Sequence, residues 1–299
     1  MRLAAALGLA ACSIAAGCGG SSSAQEEPDA TKTLYALWRA PGEDVAVVPA
    51  TADFGPGKVR YAFLVVDGRG RVVTRPMARI WVARGRDAKP FARTTARAES
   101  IGVGDVEHGE PSEVFVARLR LRQPGTYWLL AEPIGGRKIQ AIGNVVVKPR
   151  TDAPDIGGRA VASRTPTLAN ATIEQLTTAK EPDRELYRSS VAAALAAKAP
   201  FVLVFATPKY CTSRTCGPVV DVVSAVRRRH AGAQIRFVHV EIYEDNDPTK
   251  GENRWVKEWT LPSEPWVFVV GADGRIRERF EGTVSVRELD AAVRKHLLG

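Results

Sequence analysis

The sequence predicts two domains, an all-β sandwich followed by an α/β domain. Residues 45–147 hold short β-branched and aromatic runs separated by turn signals, with no helical stretch between them. Residues 149–168 are then broken up by Pro149, Pro154, Gly157, Gly158 and Pro166, and beyond them strand and helix periodicities alternate. A chain of 299 residues is long enough for two domains of ordinary size, and 45% hydrophobic with 25% charged residues is the composition of a folded protein. The net charge of +9, from 42 basic and 33 acidic residues, forms no basic block or basic-aromatic stripe. Such diffuse charge suits contact with anionic envelope polymers or lipids and gives no basis for a nucleic-acid partner.

Residues 1–23 are expected to stand outside the fold. Arg2 makes a minimal positive start, residues 3–16 are apolar but too few to span a bilayer, and small residues follow, as in a secretory signal. Ala15-Ala16-Gly17-Cys18, followed by Gly-Gly-Ser-Ser-Ser, resembles a bacterial lipoprotein signal. That resemblance implies lipidation of Cys18, a tether over residues 24–32, and an extracytoplasmic protein held at the cell membrane. Leu9-Ala10-Ala11-Cys12 also fits such a signal, but leaves a shorter apolar region and no polar tether directly after the cysteine. An ordinary cleaved signal is the plainer alternative. With Cys12 removed and Cys18 lipidated, Cys211 and Cys216 are the remaining thiols, in a compartment where disulfides persist.

Residues 33–148 are expected to form the β domain, with strands at 45–48, 59–66, 71–74, 79–83, 114–121, 126–132 and 139–147. Turn signals lie between them at Gly55-Pro56-Gly57, Asp67-Gly68, Pro124-Gly125 and Gly135-Gly136. About seven such strands suggest a sandwich. Pro124-Gly125-Thr126-Tyr127 resembles the turn entering a late strand of immunoglobulin-like domains, which implies that the Tyr127 hydroxyl ties back to the preceding turn. The region offers no catalytic constellation, and its lone His108 lies in a Gly/Glu-rich loop. A spacer or binding module is the expected role.

Residues 169–299 follow a linker at 149–168. A helix is expected at 183–198, a buried strand at 201–206, and an amphipathic helix at 218–230 with Val219, Val222, Val223 and Val226 inward. A strand at 235–242, a short helix at 253–259, strands at 266–270 and 275–280, and a last helix at 285–298 complete the order. Ser285 and Glu288 have capping-box spacing for that last helix.

Cys211 and Cys216 come directly after the first of these strands. Leu261 stands four residues before Pro265, which opens a buried strand, and Ala272-Asp273-Gly274 makes a hairpin before the final strand and helix. In these features residues 169–299 resemble the thioredoxin fold. The resemblance implies a cis peptide at Glu264-Pro265 beside the cysteines, a surface of Glu264, Pro265 and Tyr210 that contacts the substrate chain, and exchange with protein thiols and disulfides of the cell envelope without a cofactor. It implies Cys211 as nucleophile and Cys216 as resolving thiol, although Cys216-Gly217-Pro218 also mimics the start of the family motif. The chain departs from that family in its C-x-x-x-x-C spacing and in apolar Phe205, where an acidic residue usually stands. With Pro218 at the first helical position, both cysteines would sit in the preceding loop, within the roughly 7 Å that a disulfide tolerates between α-carbons. Lys209 or Arg214 would lower the thiol pKa.

Three other readings use the same residues. The run T-P-K-Y-C-T-S-R-T-C resembles a peroxiredoxin segment, with Thr207 displaced by one position from the peroxide-binding threonine. A copper carrier would pair the two cysteines with a histidine, for which His239, His230 and His296 are available. A permanent structural disulfide is the plainest, although so short a loop adds little chain-entropy stabilisation. The acidic run at 241–247 reads as a turn and helix cap without calcium-loop spacing. Trp255, Trp259 and Trp266 could form a peptide-contact patch or simply pack in the core.

Overall fold

Strand pairing closes the first half of the chain into a ring. The computed structural model describes residues 31–39, 45–103, 113–134, 141–211 and 216–299. A short helix, α1 (Leu34–Trp38), precedes β1 (Val45–Pro49), β2 (Gly57–Asp67), β3 (Met77–Ala83), β4 (Ala92–Ser100), β5 (Glu113–Leu121), β6 (Gly125–Ile134) and β7 (Ala141–Val147). Their order is β1-β2-β5-β4-β3-β6-β7. The ring closes because β1 pairs antiparallel with β2 and, at Ala46 opposite Ile142, parallel with β7. On β5, Ala117, Leu119 and Leu121 point inward while Arg118 and Arg120 face out, the period-two pattern of a strand with one wet face. Inside, Phe63 stacks between Tyr61 and Phe115 at centroid distances of 4.9 and 5.4 Å.

The expected immunoglobulin-like sandwich is thereby corrected to a closed seven-stranded barrel. The expected local turn does form: the Tyr127 hydroxyl donates to Gln123 O at 2.9 Å and accepts its N–H at 3.2 Å. Such a lock secures one turn and leaves open whether the outer strands of the sheet meet. Residues 71–74 form no strand; they fold back on β2, with Val73 N–H bonded to Val65 O. In their place stands β4, Ala-Arg-Thr-Thr-Ala-Arg-Ala-Glu-Ser, whose composition favours helix. Its small residues Ala92, Thr94 and Ala96 are buried in alternation, so packing against β3 and β5 overrides propensity. His108 and Gly135-Gly136 lie outside the described residues.

The second half is built on a four-stranded sheet. Its elements are α2 (Ile173–Leu176), α3 (Val191–Ala196), β8 (Phe201–Phe205), α4 (Cys216–Arg229), β9 (Arg236–Val240), α5 (Arg254–Glu258), β10 (Trp266–Val270), β11 (Ile276–Glu281) and α6 (Val286–Leu297). The order is β11-β10-β8-β9, with β8 and β9 parallel and β10 antiparallel to both of its neighbours. Every residue of β8 and β10 is buried, because both faces are covered. Val202, Val204, Val267 and Val269 pack under α4 and α6, while Phe201, Leu203, Phe205, Trp266 and Phe268 face α3, α5 and Trp259.

The thioredoxin-like α/β assignment is corrected as well. The molecule is mostly β, a closed barrel with a small second sheet, and helix is scarce. The helix expected at 183–198 divides into a 3₁₀ turn (Arg184–Tyr187) and the six-residue α3, because Ser190 caps a new start by accepting the Ala193 N–H. Among the described residues only α4 and α6 are longer than six residues. The motif signals specify local geometry around two cysteines and a proline, and that geometry forms without setting the class of the whole. Helix α4 (Cys216–Arg229) includes Cys216, which the sequence places in the loop before Pro218, and Cys211 lies outside it. Ser285 does cap α6 by accepting the Glu288 N–H, but the Glu288 side chain turns away to the barrel instead of completing a box.

The segment 149–168 is ordered along the edge of β11, where Gly157 N–H bonds to Ile276 O and Ile276 N–H to Gly158 O. Further contacts join barrel and sheet directly. Glu281 Oε2 accepts the N–H groups of Ala52 and Asp53, both at 2.8 Å, and Ser285 Oγ donates to Glu99 Oε2 at 2.8 Å. Arg60 binds Glu288 with two nitrogens, at 2.9 and 2.8 Å, and reaches Thr283 O at 2.8 Å. Asp53 accepts from Arg279 at 3.1 Å, from Lys148 at 3.3 Å and from the N–H groups of Asp152 and Ala153. At Gly282, with φ +69°, a Cβ would stand 2.5 Å from Ala50 O, so only glycine permits so close an approach of the two backbones.

Candidate functional site

Three chain segments converge where β8 runs out. The buried strand passes through Ala206 and Thr207 to the half-buried Tyr210 and Cys211, and α4 opens on Cys216, which is fully buried. The two cysteines stand at disulfide distance with α-carbons 5.8 Å apart, inside the range a bridge requires. The Cys216 N–H donates to Cys211 Sγ at 3.3 Å. Once the bridge is reduced, a free N–H at a helix start directed at Cys211 favours its thiolate.

The third segment is the residue pair before β10. Glu264-Pro265 is a cis peptide, Pro265 is buried and Glu264 is half-buried. A carboxylate oxygen of Glu264 and the two Sγ atoms lie within 4.8 Å of one another. The structure thus brings Cys211, Cys216 and Glu264 together, with Tyr210 and Pro265 adjacent in the chain. The Lys209 ammonium rests 5.1 Å from the Tyr210 ring centroid. Arg214 lies outside the described residues, as do Cys12, Cys18 and the tether. Among the described residues no helix is long and apolar enough to cross a membrane.

One support has little signal in the sequence. Thr178 Oγ1 accepts the Lys209 N–H at 3.1 Å and donates to Glu241 Oε1 at 2.9 Å, so a buried carboxylate anchors the loop that carries Cys211. Glu241 is polar at the end of an apolar strand, which was its only signal. Glu264 is expected from the sequence as a client-contact residue beside the cysteines; that its carboxylate itself approaches the sulfurs follows from β8 and β10 being neighbours in the sheet. On the far flank, Gly102 of the barrel sits so near α4 that a Cβ there would be 3.0 Å from Pro218 Cβ.

The three histidines among the described residues are engaged elsewhere. His230 Nε2 is 2.7 Å from Asp290 Oδ1, and His296 Nε2 is 4.0 Å from Glu278 Oε2. His239 is buried between the Tyr187 hydroxyl (2.7 Å from Nδ1) and Ala206 O (3.0 Å from Nε2). A carbonyl only accepts, so Nε2 carries the proton and Nδ1 accepts from Tyr187. Burial pushes the His239 imidazole below its ordinary pKa, and the Glu241 charge and the Ala206 bond offset this only in part. His239 is therefore expected to stay predominantly the neutral Nε2–H tautomer at pH values where a free imidazole is half-protonated, seen in long-range ¹⁵N–¹H correlation spectra. The unfolded imidazole takes a proton near pH 6.5, so this contribution to stability is present above that pH and lost as pH falls. An imidazolium majority from His239 at about pH 6.5 would contradict the assignment.

Thr207 is fully buried, and Trp259 and Trp266 are core residues. Trp255 alone of the three tryptophans is half-buried, its indole N–H bonded to Arg164 O at 3.2 Å. The acidic run behaves as a cap: Asp247 Oδ1 accepts the Thr249 N–H at 2.9 Å. Compared with models of known protein families the chain matches none, and no curated protein is a significant match.

Proposed function

We propose that the protein is an extracytoplasmic, lipid-tethered thiol-disulfide oxidoreductase that works through Cys211 and Cys216. The asymmetry of the pair supports this reading: Cys211 is half-buried and receives the N–H that opens α4, while Cys216 lies fully buried behind it. In the reducing direction the Cys211 thiolate attacks a client disulfide, forming a mixed disulfide and expelling one client thiolate. Cys216 gives its proton to the Glu264 carboxylate and attacks Cys211 Sγ. The Cys211-Cys216 bond forms, and the second client sulfur leaves and is protonated. Two electrons pass to the client, and the reverse sequence oxidises a dithiol. Tyr210, Glu264 and Pro265 border the pair where a client chain would lie, and lipid on Cys18 would hold the enzyme among envelope proteins.

The test is exchange between the reduced protein and a disulfide-bonded client. Cys211→Ser is expected to reduce exchange to background, and Cys216→Ser to accumulate a mixed disulfide on Cys211 visible by intact mass. If both single variants exchange like the parent, or the pair's potential lies below about −300 mV, the disulfide is structural and the reading fails.

A further inference from the structure

We propose that the reduced protein binds one thiophilic divalent cation of the zinc type through Cys211, Cys216 and Glu264. Reduction leaves two thiols and a carboxyl whose donor atoms lie within 4.8 Å of one another. Around tetrahedral zinc, Zn–S bonds of about 2.3 Å and Zn–O bonds of about 2.1 Å place ligand atoms roughly 3.5–3.8 Å apart, so the two sulfurs, bonded to each other in the disulfide, separate on reduction while the carboxylate oxygen closes in. The three donors rise from the loop after β8, from α4 and from two residues before β10, elements held by a doubly covered sheet.

Charge and donor type select the metal. Two thiolates and a carboxylate carry three negative charges beside the buried Cys216, which repel one another unless a cation intervenes. A purely thiolate pair suits Cu(I), whereas a hard carboxylate oxygen beside two sulfurs suits Zn(II). Among the described residues no histidine joins the cluster. Three protein donors leave the fourth position open, the pattern of a site that keeps water or takes an exogenous ligand.

Metal and disulfide then exclude each other. Binding follows P(SH)₂ + M²⁺ → PS₂M + 2H⁺. An oxidising disulfide reverses it by PS₂M + RSSR + 2H⁺ → P(S–S) + 2RSH + M²⁺, in which the two protein sulfurs lose the two electrons that the reagent gains. The site goes beyond the exchange reading and stands whether or not the protein acts on clients.

The experiment is anaerobic competition of the reduced full chain with a chromophoric zinc chelator, in parallel with cobalt(II) substitution. One equivalent of zinc is expected, together with a thiolate-to-cobalt charge-transfer band. Cys211→Ser and Cys216→Ser should each remove that band. Glu264→Gln should weaken zinc by at least the roughly tenfold that loss of even an outer-sphere partner costs, and should change the cobalt d–d spectrum. Glu264→Asp should recover part of both, which a folding defect would not allow. Less than one equivalent in the reduced parent, binding that survives oxidation, or unchanged affinity and spectrum in Glu264→Gln would each overturn the site. Loss of client exchange with zinc binding intact would sink only the oxidoreductase reading.

Discussion

Arg60→Met is expected to destabilise the protein by about 3–5 kcal/mol, the cost of leaving one member of a buried ion pair alone. The side chains of Arg60 and Glu288 are only 5% and 7% exposed, so solvent cannot replace the lost partner. Burial pushes the Glu288 carboxyl up, but the charge and hydrogen bonds of Arg60, with help from Arg118, outweigh it and hold the pKa below the ordinary carboxylate value. In the parent this group's contribution is full above the unfolded pKa and is lost as pH falls through the lower folded value. In Arg60→Met the burial effect dominates instead, so the Glu288 contribution should fall as pH rises through a now elevated pKa. Denaturant unfolding between pH 4 and 7 measures both. Should the variant keep the parent's pH slope, or lose less than about 1 kcal/mol, the pair is no more than a surface contact.

Asp53→Asn is expected to cost about 3 kcal/mol by the same reasoning, from a different geometry. The Asp53 side chain is fully buried, and its two oxygens accept from Arg279, Lys148 and two backbone N–H groups. An amide replaces one acceptor with a donor that faces those donors, and removes the charge opposite Arg279. Because Asp53 belongs to the barrel and Arg279 to β11, the change should also loosen the coupling of the halves. Barrel fluorescence from Trp38, Trp81 and Trp128 and sheet fluorescence from Trp255, Trp259 and Trp266, isolated by substituting the other set, would then unfold at different midpoints. A single coincident transition with the parent midpoint would show that the joint does not depend on Asp53.

What could be read from the chain was local. Apolar runs, turn residues and caps predicted most strands, and the Cys211, Cys216 and Pro265 spacing pointed to one region of chemistry. Barrel closure depends on a parallel contact between Ala46 and Ile142, residues far apart in sequence whose pairing has no local signature. Strand β4 was hidden by helix-forming composition, since its conformation comes from neighbours on both sides. Glu264 reads as a client-contact residue, but the approach of its carboxylate to the sulfurs comes from sheet order. Arg60 and Asp53 carry no local signal, and Glu288 reads as a helix cap, because the partners that bury them lie about a hundred residues away or more.

The approach of Gly102 to Pro218 sets an angle of attack. One flank of the sulfur pair is fenced by the barrel, two residues past Cys216. A client that reaches Cys211 would have the barrel beside it on the α4 side, which favours sulfurs on a protruding loop over a broad flat face. The barrel would then act as a steric filter, so that reshaping the strand end around Gly102 changes which partners are admitted while the sulfur chemistry stays the same.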